Sequence, residues 1–140
     1  MNASNSVDHA AGAELQRELR DLLCLAVVGD HLRWVVRGDG GELGRWLSDA
    51  VPRWRALADE VAKRLVALGV PPDGRVRSLA QDIPLNWVPE GWLPADEARQ
   101  LLEQRLHTLG EWSRRRRSKT TDLESAHVLD AVCEALARVP

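Results

Sequence analysis

Glu124 and His127 are the one pair in this sequence with Glu-x-x-His spacing. On a helix that spacing brings a carboxylate and an imidazole to one face, and together they can hold a transition metal. Di-iron bundles use the motif twice, from two helices, and only one copy is present here. His9 and His107 have no obvious partner in the sequence, His31 stands two residues before Arg33 and so on a different helix face, and isolated histidines are more often structural than ligating. A second candidate is the cationic run Arg114, Arg115, Arg116 and Arg117, continued by Lys119. Such a run can bind phosphate, and repetition over an oligomer would make it multivalent. The plainer reading, which we prefer, is that these cations complement the negative end of a helix and solvate its last turn.

Cys24 and Cys133 stand far apart and form no Cys-x-x-Cys motif. Free thiols in a reducing, cytoplasmic setting are expected, with no disulfide framework. The N-terminal residues lack the basic and apolar regions of a secretory signal. The longest apolar run, Leu22 to Val28, is too short to cross a bilayer, so no membrane partner is expected. With 140 residues, 44% hydrophobic and 29% charged, the chain suits one globular domain. A formal charge of -2 gives no global attraction to nucleic acid.

The elements that position these residues are helical. Residues 1–12 read as a flexible tail and 13–140 as the folded domain. The first helix is expected from Ala13 to Arg37, on a stripe that includes Leu15, Leu19 and Leu22, with Gly38 and Asp-Gly-Gly as its stop. The second is expected from Glu42 to Leu68, kinked or broken at Pro52 and closed by Gly69 and Pro71-Pro72. A long connection, 70–93, follows, with a short helix near Arg75–Gln81 and with Trp87 and Trp92 pinning it to the surface. The third helix starts at Pro94 and fades near Arg117, with Leu101, Leu102, Leu106, Leu109 and Trp112 facing inward. The fourth starts at Thr121, where Thr121 and Glu124 have capping-box spacing, and Leu123, Val128, Leu129, Val132, Leu136 and Val139 form its apolar face. No strand pattern competes. Four helices with two short links and one long middle crossover describe an all-α, ferritin-like four-helix bundle.

Two stretches carry a resemblance to a known family. The segment Asp30-His31-Leu32-Arg33-Trp34-Val35-Val36-Arg37-Gly38 resembles the Dps signature, a His-Trp pair followed by two residues, a basic residue and glycine; Trp34, Arg37 and Gly38 match it. The segment from Asp59 to Gly69 resembles the Dps stretch with an Asp and a Glu four apart that ends in Leu-Gly-Gly. The resemblance spans residues 14 to 139 and implies a shell of twelve subunits. It also implies a di-iron oxidation site at a twofold interface, iron as substrate and mineral, and often DNA as a partner.

The implied ligands are largely replaced. The signature histidine falls on Arg33 and a second histidine on Gly44 or Arg45. The family aspartates fall on Asp49 (or Ser48) and Asp59, and the glutamate on Lys63. Arginine has no lone pair to offer a metal, and lysine ligates only after losing its proton. The expectation is therefore a remnant site in which Arg33 and Lys63 pair with Asp49 and Asp59 across a subunit interface, with weak or absent iron oxidation and no bound cofactor. The alternatives are a non-enzymatic helical interaction protein, dimeric rather than dodecameric, and a metal enzyme with its site relocated to Glu124 and His127.

Overall fold

The computed structural model describes residues 3–82, 88–136 and 139–140, with side chains from residue 10 onward and not at residue 82. The element order is α1 (Ala3–Val35), β1 (Val36–Arg37), α2 (Glu42–Ala67), α3 (Val76–Asp82), β2 (Leu93–Pro94), α4 (Ala95–Lys119) and α5 (Leu123–Ala135). The four long helices form the expected bundle. The connection from α2 to α4 carries α3 and delivers β2 beside β1, at the far end of α1.

The first helix starts at Ala3, not Ala13. Residues 3–12 hold three alanines and no proline before Gly12, so nothing local stops the helix. Gly12 is buried, and a Cβ there would stand 2.9 Å from Val70 Cγ2, so α1 is packed against the end of α2 by this point. At its other end α1 gives way at Val36 to a two-residue parallel ladder, Val36 opposite Leu93 and Arg37 opposite Pro94. So short a strand pair leaves no periodicity to read in a sequence.

The Gly38-Asp39-Gly40-Gly41 turn starts α2. Asp39 accepts the amide N–H groups of Gly41 (3.0 Å) and Leu43 (2.8 Å), and Arg99 of α4 reaches the same carboxylate at 3.0 Å. Those amides hold the Asp39 carboxyl below its usual range. Pro52 does not break α2, which is continuous through it; its exposed ring side costs one backbone bond while the buried face on either side keeps the rod in place. Past the helix, Gly69 takes φ +78 and Val70 N–H returns to the Leu65 carbonyl at 2.9 Å, a glycine-terminated stop.

The core has two sections. The first, around fully buried Trp54, contains Leu25, Leu32, Leu43, Leu47, Leu102, Leu106 and Leu109. Trp46 meets Trp54 edge-on, with centroids 6.0 Å apart, and α1 comes so close at Gly29 that a Cβ would lie 2.6 Å from Val51. The second section joins Leu15, Leu19 and Leu22 to Ala58, Val61, Leu65, Leu129 and Val132.

Three local expectations are corrected. The cap of α5 is Asp122, whose side chain accepts the Ser125 N–H at 3.2 Å, and not Thr121 with Glu124; the shorter Asp122 carboxylate sits one residue nearer the helix. Leu123 is 78% exposed and lies off the apolar face of α5. Trp112 is 37% exposed and borders a groove, because the inward line of α4 runs through Leu106, Leu109, Ser113 and Arg116. Trp92 is exposed, with the Arg37 guanidinium stacked 3.8 Å from its ring; Trp87 lies outside the described residues.

Candidate functional site

The positions that the resemblance assigns to iron ligands lie along α1 and the outer face of α2. Arg33, at the end of α1, donates from Nε to Asp30 at 2.9 Å. Arg55, one helix away, donates to the other oxygen of Asp30 at 3.1 Å. Asp30 is held below its usual range, first by the Arg33 hydrogen bond and then, against partial burial, by Arg55. Asp30, Arg33, Ser48, Val51, Pro52 and Arg55 border a recess of about 290 Å³. Lys63 reaches Glu60 at 3.3 Å, both exposed.

Within one chain these residues do not form a single cluster. Asp49 and Asp59 are ten residues apart on α2, roughly 15 Å along its axis. Asp59 borders a separate apolar groove with Leu19, Leu23, Arg55 and Pro72. Gly44 and Arg45 lie in the first turn of α2, where Arg45 donates to the Gly40 carbonyl at 3.2 Å. Among the described residues no group of three or more His, Cys, Asp or Glu side chains could hold a metal ion. Arg33 and Lys63, two cations, stand at positions that the resemblance maps to ligands.

Glu124 and His127 are both exposed on α5. Glu124 is already engaged, by Arg64 Nη1 at 2.6 Å, while Arg64 Nη2 reaches Asp122 at 2.6 Å and Nε reaches Ser125 Oγ at 3.0 Å. This fork ties the end of α2 to the start of α5. Asp122 is pulled down to about 2, first by Ser125 and then, against desolvation, by Arg64. His31 is half-buried, His107 faces Glu111 at 3.3 Å, and the His9 side chain lies outside the description.

The cationic run does not form one patch. Arg116 turns into the bundle, where Nη1 donates to Glu18 at 2.6 Å and to Asp21 at 2.8 Å, and Nε lies 3.5 Å from Glu14. Glu18 is 1% exposed and also accepts the Ser113 hydroxyl. Burial pushes the Glu18 carboxyl up, against the opposing pull of Ser113 and Arg116. Arg117 pairs with Asp130 at 2.8 Å, linking α4 to α5. Arg114, Arg115 and Lys119 remain exposed.

Sequence reasoning missed this buried cluster. A signal was present: Glu18 continues the Leu15, Leu22 and Leu25 stripe, and Ser113 and Arg116 continue Leu102, Leu106 and Leu109 at helical spacing. Neither cysteine is in a disulfide; the buried Cys24 thiol points at the Leu79 carbonyl, and burial raises the half-buried Cys133 thiol. Among the described residues no helix is long and apolar enough to cross a membrane.

No family model matches the sequence, and no curated protein does. Solved structures match along nearly the whole chain. Dps of Mycobacterium smegmatis superposes with a TM-score of 0.89 at 23% identity, covering 97% of this chain and 85% of that one. Dps92 of Deinococcus radiodurans gives 0.89 at 24%, covering 94% and 81%. Dps of Microbacterium arborescens in its high iron form gives 0.84 at 23%, covering 97% and 91%. The agreement is in backbone path, and it gives this chain the ferritin-like four-helix-bundle fold of these Dps structures.

Proposed function

We propose that the chain is a self-assembling Dps-type subunit for iron or oxidative-stress protection whose interface site has lost rapid iron oxidation. The observation that supports this most strongly is Arg33. It stands where the resemblance places a ligating histidine, and Asp30 holds it there at 2.9 Å. A guanidinium has no acceptor and stays protonated, so it excludes a cation from the space that an imidazole would offer it. Lys63, in the mapped glutamate position, adds a second positive charge. In an assembly these cations would face the Asp59 or Asp49 of a neighbouring copy and would hold the interface by ion pairs.

A second reading is a smaller oligomer that binds another protein. It is favoured by apolar side chains left on the outer face of α1 and α2: Trp34 is 62% exposed, with Val27 and Val66 also open. A relocated metal site is less well supported, since Arg64 already holds Glu124. DNA binding loses its simplest basis, since Arg116 is buried and Arg117 is paired.

Light scattering with metal analysis on the purified protein tests the proposal. We expect a mass near twelve subunits and no iron held in proportion to subunits. A dimer would favour the second reading, and a stoichiometric two irons per interface would contradict the loss of the site.

A further inference from the structure

The splitting of the arginine run leaves a groove where the first half of α1 meets the last turns of α4. Its cavity volume is about 490 Å³. Trp112, Arg115, Arg116 and Lys119 recur at helical spacing along α4 and face Arg17 and Arg20 across it. The acids at this place are largely spent. Glu18 and Asp21 hold Arg116, and Asp73 lies 3.7 Å from Arg20. Glu14 is shared between Arg116 at 3.5 Å and Arg17 at 4.0 Å. Arg115 and Lys119 have no ion pair among the described residues. Arg116 thus ties the carboxylates beneath the groove in place, and the rim carries Arg115 and Lys119 with an indole beside them.

We propose that this groove binds a small polyphosphate anion, with Arg115, Lys119 and Arg17 contacting its phosphates. Arginine meets phosphate with a two-pronged set of donors and lysine as a point charge, so the rim matches adjacent phosphates better than a lone carboxylate ligand. The concave shape and the paired floor favour a compact anion over a nucleic-acid backbone, which needs an open row of cations. The partly exposed Trp112 ring offers a surface on which a nucleobase can stack, so the polyphosphate can be free or part of a nucleotide. The groove lies apart from the positions mapped to iron ligands, which are on the other half of α1 and on α2.

Calorimetric titration of the assembled protein with pyrophosphate and with ADP, at low and moderate salt, tests it. Pyrophosphate should bind, weaken with salt, and lose at least tenfold in affinity in Arg115→Ala/Lys119→Ala. Both side chains are exposed, so that variant should stay folded with at most a small drop in melting temperature from the helix-end cations removed, which is checked in parallel. Tighter binding of ADP, lost in Trp112→Leu, would assign the nucleotide; equal binding would assign the free polyphosphate. Absence of binding to both probes, or binding that the double substitution leaves unchanged, would overturn the proposal. Retention of duplex DNA without pyrophosphate would overturn it too, in favour of an open surface for a nucleic-acid backbone.

Discussion

The chain uses the same residue types in two places with opposite consequences. Between α1 and α4, Glu18, Asp21 and Arg116 form ion pairs inside the bundle. On the outer face, Asp30 with Arg33 and Arg55, and Glu60 with Lys63, form ion pairs open to solvent. In the first region each charge depends on its partners, because an unpaired charge out of water is costly. In the second, water can replace either partner at little cost, so the charges remain open to re-pairing. Burial, and not the identity of the ion pair, separates a structural element from a surface that can be reassigned.

The largest test of this contrast is removal of Arg116. Arg116→Ala should destabilise the fold by about 3–5 kcal/mol, read from denaturant unfolding, since it leaves Glu18 buried and uncompensated. Replacing all three charges with apolar residues, Glu18→Leu and Asp21→Leu with Arg116→Met, should recover most of that loss. A small effect of Arg116→Ala would erase the distinction between the two regions.

An intermediate case lies at the α2–α5 fork. Arg64→Ala should cost about 1–2 kcal/mol, because its partners Asp122 and Glu124 are more exposed and can be hydrated. Acid titration separates the regions by sign. Asp122 is lowered to about 2 from 3.8, so its contribution is present above pH 4 and is lost as pH falls toward 2. Glu18 is raised from 4.5, so it favours the fold below pH 4.5 and loses that contribution as pH rises through its folded value. Asp122→Asn should flatten the acid limb of a stability profile, and Glu18→Gln the limb above pH 4.5. The same slope in both variants would contradict the assignment. The smallest effect is expected on the outer face: Arg33→Ala or Lys63→Ala should change subunit stability by no more than about 0.5 kcal/mol.

The two regions also differ in how much of them the sequence revealed. The leucine stripes, the glycine stops and the proline-rich crossover are repeated, local signals, and they specified the bundle and the short helix in its long connection. The Glu18–Arg116 cluster joins residues 98 apart. A charged residue inside an apolar stripe was visible, but only three-dimensional proximity reveals which distant charge answers it. Arg116 was further concealed by its neighbours, since four consecutive arginines look like one surface patch until helix phase sends them in different directions. The start of α1 was missed for a different reason: polar residues that form a helix through propensity and a single packed glycine resemble a tail. On the outer face the residue types at the positions the resemblance maps to ligands were legible. Anything they met on another copy would be set by the docking of two folded surfaces, which leaves no local pattern in one sequence.

The most direct measurement is the rate of ferrous iron oxidation by the assembled protein, compared with its Asp59→Asn variant. Positive side chains in the mapped ligand positions predict that both proteins oxidise iron at the uncatalysed rate. Rapid oxidation by the unsubstituted protein that disappears in Asp59→Asn would contradict that account.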